Sequence, residues 1–443
     1  MYSPVFRNFL FPVLEQYMGT SIQKDLEFLK KSQWFKKKDI LELQNKRLKF
    51  LISHAYDNVP YYRNVFKKCD ITPEDIKTKE DLKKIPILTK DLIRKNLPDL
   101  IATNNCSKKK MERRSSGSTG APLTFYIDQR TYSYGWANTF RNWSWAGYSL
   151  GDSYIKITHP RSTSTKKIQD VLMNCTLIPA FQINEKNIQD ITRQIKQAKP
   201  VVLRGFPSSI FVLSSLIEMS GIKDITIKAV MTTGDTLLPE FRQSIEKNLN
   251  CEVFDAYGGE GTSVAFECEE HNGYHIAEES TVVEFLNNNG ESINNGFGEV
   301  CLTNLTNYAM PLIRYNIQDI GRQTDEICPC GRNLSLMKSI EGRSTDIIIT
   351  PGKKLLTIHF FSTFLKNYPG ILHYQIIQEY LDKITIKIVK DEKYTEENTE
   401  KIKKDCINRI GEEIEIKIEF VDEIPLLNSG KRRFVISKIP LVF

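Results

Sequence analysis

Several short stretches of this chain set small, hydroxyl-bearing and charged residues at spacings suited to phosphate chemistry. Residues 113–123 read RRSSGSTGAPL. There Gly117 and Gly120 open backbone angles closed to other residues, while Ser115, Ser116, Ser118 and Thr119 supply hydroxyl donors, so the loop could cradle phosphate oxygens. The Gly-Lys-Ser/Thr ending of a Walker A loop is absent, and a plain surface turn has the same texture. Residues 255–261, DAYGGEG, follow a predicted strand. The run Asp255, Ala256, Tyr257, Gly258 offers an aromatic face to a base on a pliant backbone, and Glu260 adds a carboxylate for a metal ion; a strand-ending turn is the plainer use. In PLIRYNIQD, 311–319, Asp319 could accept hydrogen bonds from sugar hydroxyls, or simply cap a helix or pair on the surface. In SGKRRF, 429–434, Lys431 sits between a glycine and two arginines, which suits phosphate recognition and equally a solvated basic turn.

A second cluster points to a metal. Cys268, His271 and His275 lie close together, and Cys328 and Cys330 follow later in the chain. Two such clips brought together make the closed Cys3His arrangement usual for structural zinc. His275, in a predicted strand, YHI, could complete the set with Cys268, Cys328 and Cys330, the choice that the resemblance described below favours. His271 is the alternative, and reduced surface thiols beside a turn are the plainer reading. The chain has nine cysteines, an odd number with no export signal, which argues against a disulfide framework.

The elements that must position these residues can be read from 443 residues with a formal charge of +7, 40% hydrophobic and 26% charged. That composition is globular, long enough for two to four domains, and neither fibrous nor disordered. Helical periodicity covers 20–56, with Leu41, Leu48, Leu51 and Ile52 on a stripe. The lysine-rich stretch 67–110 reads as a solvated surface, since no nucleic-acid module accompanies it. From 150 to 340 predicted strands alternate with helices, which argues for a largely parallel α/β sheet. After 341 the texture becomes that of a small α+β domain. No run is long and apolar enough to span a membrane, and a cytoplasmic location is expected. The apolar run 5–14 is expected to pack on the body, attachment to a membrane surface being the weaker alternative. His54 reads as a packed imidazole, and the aromatic helix predicted around 132–145 as core.

Taken in order, SSGSTGAP, TTGD (232–235), DAYGGEG, PLIRYNIQD, EGRSTD (341–346) and NSGKRR resemble the core motif series of the adenylate-forming enzymes. HAYDNVPYYR (54–63) and RGFPSS (204–209) narrow the resemblance to the phenylacetate-CoA ligase and CapK-like branch. The resemblance implies an α/β fold with a large N-terminal adenylation domain of layered sheets and helices, 1–343, and a small mobile C-terminal α+β domain, 344–443. It implies that 115–120 is the phosphate loop for ATP, that Tyr257 stacks on adenine, that Glu260 binds Mg²⁺ and that Asp319 holds the ribose. Arg343 would contact the nucleotide near a hinge that Asp346 closes, and Lys431 would stabilise the α-phosphate during adenylation. Arg113, Arg114 and 431–433 would then gather around the polyphosphate. The Cys, Gly-x-His and Cys-x-Cys-Gly pattern is similar to zinc-bearing members of the branch.

Two departures stand out. Only Gly259 separates the Tyr-Gly pair from Glu260, where the family usually has two residues, and Asn316, Ile317 and Gln318 stand where Arg, Thr and Gly are common. The activity implied is that of an AMP-forming acid–thiol ligase, using ATP, Mg²⁺ and coenzyme A, with structural Zn²⁺. Transfer to an amine or hydroxyl, in surface-polysaccharide or secondary metabolism, is one alternative. A non-catalytic nucleotide- and zinc-binding protein is another. The expected partners are a small carboxylic acid and the acceptor, with no nucleic acid, and a dimer is kept open.

Overall fold

The computed structural model describes residues 2–115, 123–158, 170, 173–259, 261–287, 289–343, 346–352, 354–356, 358–365, 367–411, 414–425 and 433–439. Its centre is an 11-stranded mixed sheet. The strands Cys175–Pro179, Tyr154–Thr158, Val202–Gly205, Ala229–Thr233 and Glu252–Gly259 lie side by side and parallel. Helices Ile188–Ala198, Pro207–Met219 and Pro239–Leu249 connect successive strands across its faces. Each has the stripe such a helix needs: Ile188, Ile191 and Ile195 are buried in the first. Pro207 and Pro239 open their helices where a missing N–H leaves no bond unmade.

The expectation of a largely parallel sheet holds only this far. Beyond Glu252–Gly259 the ladder turns antiparallel, through Thr262–Glu267, Tyr274–Ile276, Leu336–Arg343, Tyr315–Gln323, Gly296–Asn304 and Thr281–Leu286. The connections here are turns and loops, and antiparallel neighbours need no crossover helix. Alternation of apolar segments does not distinguish the two modes.

In front of the sheet, Lys37–Asn58 buries Leu48, Leu51, Ile52 and Ala55 as its stripe predicts, while Leu41 is only partly covered. The helix Gln129–Trp145 buries Tyr134, Phe140 and Trp143. Phe6, Phe11 and Leu29 pack in the same apolar cluster, so the inner face of the N-terminal run does rest on the body. After Arg343, a four-stranded sheet of Glu415–Phe420, Lys383–Lys390, Ile371–Tyr380 and Val435–Ser437 is covered by Glu396–Ile410. It meets the large sheet's helices through Phe434, whose ring centroid lies 5.9 Å from that of Phe241. Tyr374 Oη also donates to Glu240 Oε1 at 3.1 Å. Among the described residues no helix is long and apolar enough to cross a membrane, and none of the cysteines forms a disulfide.

Candidate active site

A cavity of about 500 Å³ opens at the carboxyl end of strand Glu252–Gly259, where ligand sites of α/β sheets lie. Its walls draw on every motif of the ordered series: Arg114 and Ser115, Gly234 and Asp235, Asp255 to Gly259, Ile317 and Asp319, Glu341 and Asp346, and Arg433 with Phe434. Ser116, Gly117, Ser118, Thr119, Gly120, Glu260 and Lys431 lie outside the described residues, but their flanks bound the cavity. Met111–Arg114 pairs antiparallel with Thr124–Ile127. At the end of this hairpin the Ser115 N–H donates to Leu123 O at 2.9 Å and the Leu123 N–H to Ser115 Oγ at 3.0 Å. The Ser/Gly segment thus leaves and re-enters one hairpin stem. That stem rests directly on the DAYGGEG loop: a Cβ at Gly261, where φ is +71°, would stand 2.6 Å from Ile127 Cγ2.

Tyr257 and Asp319 both line the cavity and touch each other. The Tyr257 hydroxyl donates to Asp319 Oδ2 at 2.7 Å, which leaves the ring as a wall of the cavity. Asp319 is the ladder partner of Arg343, whose side chain lies outside the described residues. The substituted segment before Asp319 has a physical explanation. Gln318 adopts φ +69°, where glycine is freest, and its N–H donates to Asn316 Oδ1 at 2.8 Å. Arg314, in the same motif, is an internal tie. It is buried and donates to Glu284 Oε1 at 3.2 Å, Ile85 O at 3.0 Å and Gly290 O at 2.9 Å.

On the cavity floor, Arg242, Glu267 and Tyr274 lie outside the motif series. Arg242 holds Glu267 through bonds of 2.8 and 2.7 Å, and Glu267 Oε2 accepts the Asp255 N–H at 2.8 Å. Asp255 accepts from Thr232 Oγ1 at 2.5 Å and from Tyr274 Oη at 2.8 Å. Burial would raise the Glu267 carboxyl, but His271 and Arg242 together hold it below the usual carboxylate range. Asp255 goes the other way: burial, then the charge of Glu267, pushes it up to about 7 against the hydrogen bonds it accepts. A carboxyl raised on folding favours the folded state most when protonated. Its contribution is complete below its ordinary 3.8 and is lost as pH rises through about 7. We therefore expect Asp255→Asn to gain stability relative to wild type between pH 5 and pH 8, by about 3 kcal/mol. Denaturation midpoints of both proteins at the two pH values check this, and a pH-independent difference contradicts it.

Cys268, His275, Cys328 and Cys330 come together with all ligand atoms within 4.8 Å of one another. Cys268 Sγ and Cys328 Sγ are 3.6 Å apart, and Cys330 Sγ is 3.3 Å from His275 Nε2. Those separations match the edges of a tetrahedron with bonds of about 2.0 to 2.3 Å. Burial pushes the His275 imidazole down to about 4, so the ring is neutral, as a ligand must be. Around the cluster, Arg332 Nη1 donates to both carboxylate oxygens of Glu269 at 3.0 Å, and the guanidinium lies 4.5 Å over the Trp145 ring. That ring meets His275 edge-on at 5.6 Å. His271 is elsewhere: with φ +47° it turns toward the cavity, its Nδ1 3.5 Å from Glu267 Oε2.

Other expectations divide. His54 lies away from this cavity. Its Nε2 is 2.8 Å from Tyr308 O, and its ring faces that of Tyr308 in a separate open cleft. Arg113 does not join the cavity: it stands over the Tyr132 ring at 6.0 Å, because successive side chains of a strand point to opposite faces. Lys90 does join it, although the lysine-rich stretch read as solvated surface; its Nζ donates to Ile317 O at 3.1 Å. Ser208 of RGFPSS donates to Asp235 of TTGD at 2.8 Å, which ties those two motifs together behind the cavity.

Comparison with known proteins gives a consistent picture. Residues 348–438 match the CapK C-terminal domain. A phenylacetate-coenzyme A ligase of Pseudomonas putida is 30% identical over 73% of this chain and 75% of its own length. The CapK protein of Staphylococcus aureus is 26% identical over 90% of both chains. Among solved structures, a 2-hydroxyisobutyryl-CoA ligase in its postadenylation state superposes with a TM-score of 0.71 at 18% identity, covering 89% of each chain.

Proposed function

Because the chain belongs to the phenylacetate-CoA ligase and CapK-like branch of the adenylate-forming enzymes, we propose that it activates a small carboxylic acid with ATP and passes the acyl group to coenzyme A. The observation that carries this reading is the convergence of the whole motif series on one cavity. A carboxylate is a poor acyl donor. Its oxygen attacks the α-phosphorus of ATP, the bond to pyrophosphate breaks, and the resulting acyl adenylate carries AMP as a good leaving group. A thiolate then attacks the acyl carbon and releases AMP.

Each part of the cavity has a task in that sequence. The Tyr257 ring and the Asp319 carboxylate hold the nucleoside, and the Tyr257–Asp319 bond of 2.7 Å fixes both before ATP arrives. The Ser/Gly segment, which leaves the hairpin stem at Ser115 and returns to it at Leu123, would wrap the phosphates, and Lys431 would reach the α-phosphate. Glu260 would hold Mg²⁺, which when bound would neutralise charge on the phosphates. Preorganised donors aimed at developing charge are worth roughly 3 kcal/mol each. The segment around Asp346 is the hinge: Arg433 Nε donates to Asp346 Oδ1 at 2.8 Å, and exchange of that bond accompanies a turn of the domain 344–443 between the two half-reactions. Cys268, His275, Cys328 and Cys330 would hold zinc with four protein ligands, the donor set of a structural rather than a catalytic site.

A second reading keeps adenylation but uses an amine or hydroxyl acceptor; similarity to CapK over nearly the whole chain favours keeping it. Mass spectrometry of products formed with ATP, a panel of acids and either coenzyme A or a panel of amines separates the two. Thioester formation upholds the first reading. Amide without thioester replaces it with the second.

A further inference from the structure

The outermost helical turns carry apolar side chains that no described residue covers. Tyr2–Val5, Phe6–Leu10 and Phe11–Met18 follow one another as a single helical run with a π-turn in its middle. Phe6 and Phe11 stand five positions apart and both face inward, their ring centroids 5.4 Å apart. A π-turn brings residues at that spacing onto one side. The opposite side is also apolar: Phe9 is 69% exposed, Val13 65% and Tyr17 90%, with Val5 and Leu10 exposed beside them. Solvation alone disfavours so contiguous an apolar surface on a monomer.

The charges around this face are mainly basic. Glu15 is turned inward and accepts the Gln23 N–H at 3.2 Å. Asp25 is half-buried, accepts from Ser21 Oγ at 2.8 Å and feels Arg130 and Arg47. Glu27 is exposed and stands near Lys30. The first 38 residues hold seven basic side chains against these three acids; Lys37 and Lys38 pair with Glu278 and Glu42, which leaves five, and Lys30 lies within the field of Arg7. We propose that this face rests on a membrane surface containing anionic lipid. Phe9, Val13 and Tyr17 enter the headgroup boundary while Arg7, Lys30 and Lys31 meet lipid phosphates. A second copy of the chain fits this face less well, since a two-fold contact would set Arg7 and Lys30 close to their own counterparts.

Flotation of the full chain with vesicles tests the proposal independently of ligase activity. One set is pure phosphatidylcholine and the other contains roughly one-third phosphatidylglycerol. The protein is expected to float with the anionic set and to detach as salt rises. Phe9→Glu/Val13→Glu should weaken binding at least about tenfold with the melting temperature retained. Arg7→Glu/Lys30→Glu, which leaves the apolar residues in place, should abolish the preference for anionic vesicles. Failure to float with either set overturns the proposal. So does a solution dimer, seen by light scattering, that Phe9→Glu/Val13→Glu splits into monomers.

Discussion

Lys431→Ala is expected to lower acid-dependent pyrophosphate release at least about 100-fold while leaving conversion of a supplied acyl adenylate to thioester intact. The charge on the α-phosphorus grows only during adenylation, so a cation aimed there contributes to that step and not to the thiolate's later attack on carbon. Arg433 and Phe434, immediately beyond this lysine in the chain, line the cavity. Arg433 also holds Asp346 at 2.7 Å through Nη2, which ties the lysine's segment to the hinge. Rapid-quench measurement of each half-reaction separately checks the expectation. Equal loss of both in a folded variant contradicts domain alternation, and unchanged pyrophosphate release removes Lys431 from the mechanism.

Cys268→Ser is expected to reduce zinc from about one atom per chain to background and to weaken ATP binding as well. The link between the two effects is covalent. Glu267, which accepts the Asp255 N–H, directly precedes Cys268, and the same loop supplies His271, Gly273 and Tyr274 to the cavity wall. Gly273 takes φ +110°, and a Cβ there would sit 2.8 Å from Met337 O, so the loop is packed hard against the strand Leu336–Arg343. Three thiolates and one divalent cation leave a net negative charge, and the Arg332 guanidinium beside Cys330 answers it. Arg332→Ala should therefore weaken metal affinity by about 10- to 100-fold without removing a ligand. Elemental analysis with calorimetric ATP titration reads both effects. Wild-type protein purified without chelator and carrying far less than one zinc contradicts the metal reading. Unaltered ATP affinity in metal-free protein removes the link to the cavity.

Much of this was legible in the sequence where function demands unusual residues in a fixed order. The loops at Ser115, Asp255 to Gly258, Asp319 and Asp346 meet in one cavity, but only the strand leading to Asp255 was outlined by periodicity; Asp319 falls inside Tyr315–Gln323 and Ser115 ends a hairpin, neither of them outlined. The Cys/His cluster was legible as well, His275 being fixed by the strand Tyr274–Ile276. What remained hidden depends on pairings between distant residues. Nothing local in Arg242 announces Glu267 as its partner, and nothing in Lys90 announces Ile317. The antiparallel half of the sheet was hidden as well, since a strand's neighbour is set by its connection and by which face it buries. Arg113 and Arg114 show the limit most plainly: adjacent arginines in one motif, of which the pleat of the strand sends only Arg114 to the cavity.

The central claim is that the cavity between Tyr257, Asp319 and the Ser115 hairpin adenylates a carboxylic acid. Exchange of labelled pyrophosphate into ATP, run over a panel of small carboxylic acids with wild type and Asp319→Ala side by side, tests it most directly. Exchange that requires one class of acid, and that falls at least about tenfold in the variant through a raised KM for ATP, is the predicted result. ATP binding by the wild type with no acid-dependent exchange across the panel would contradict it.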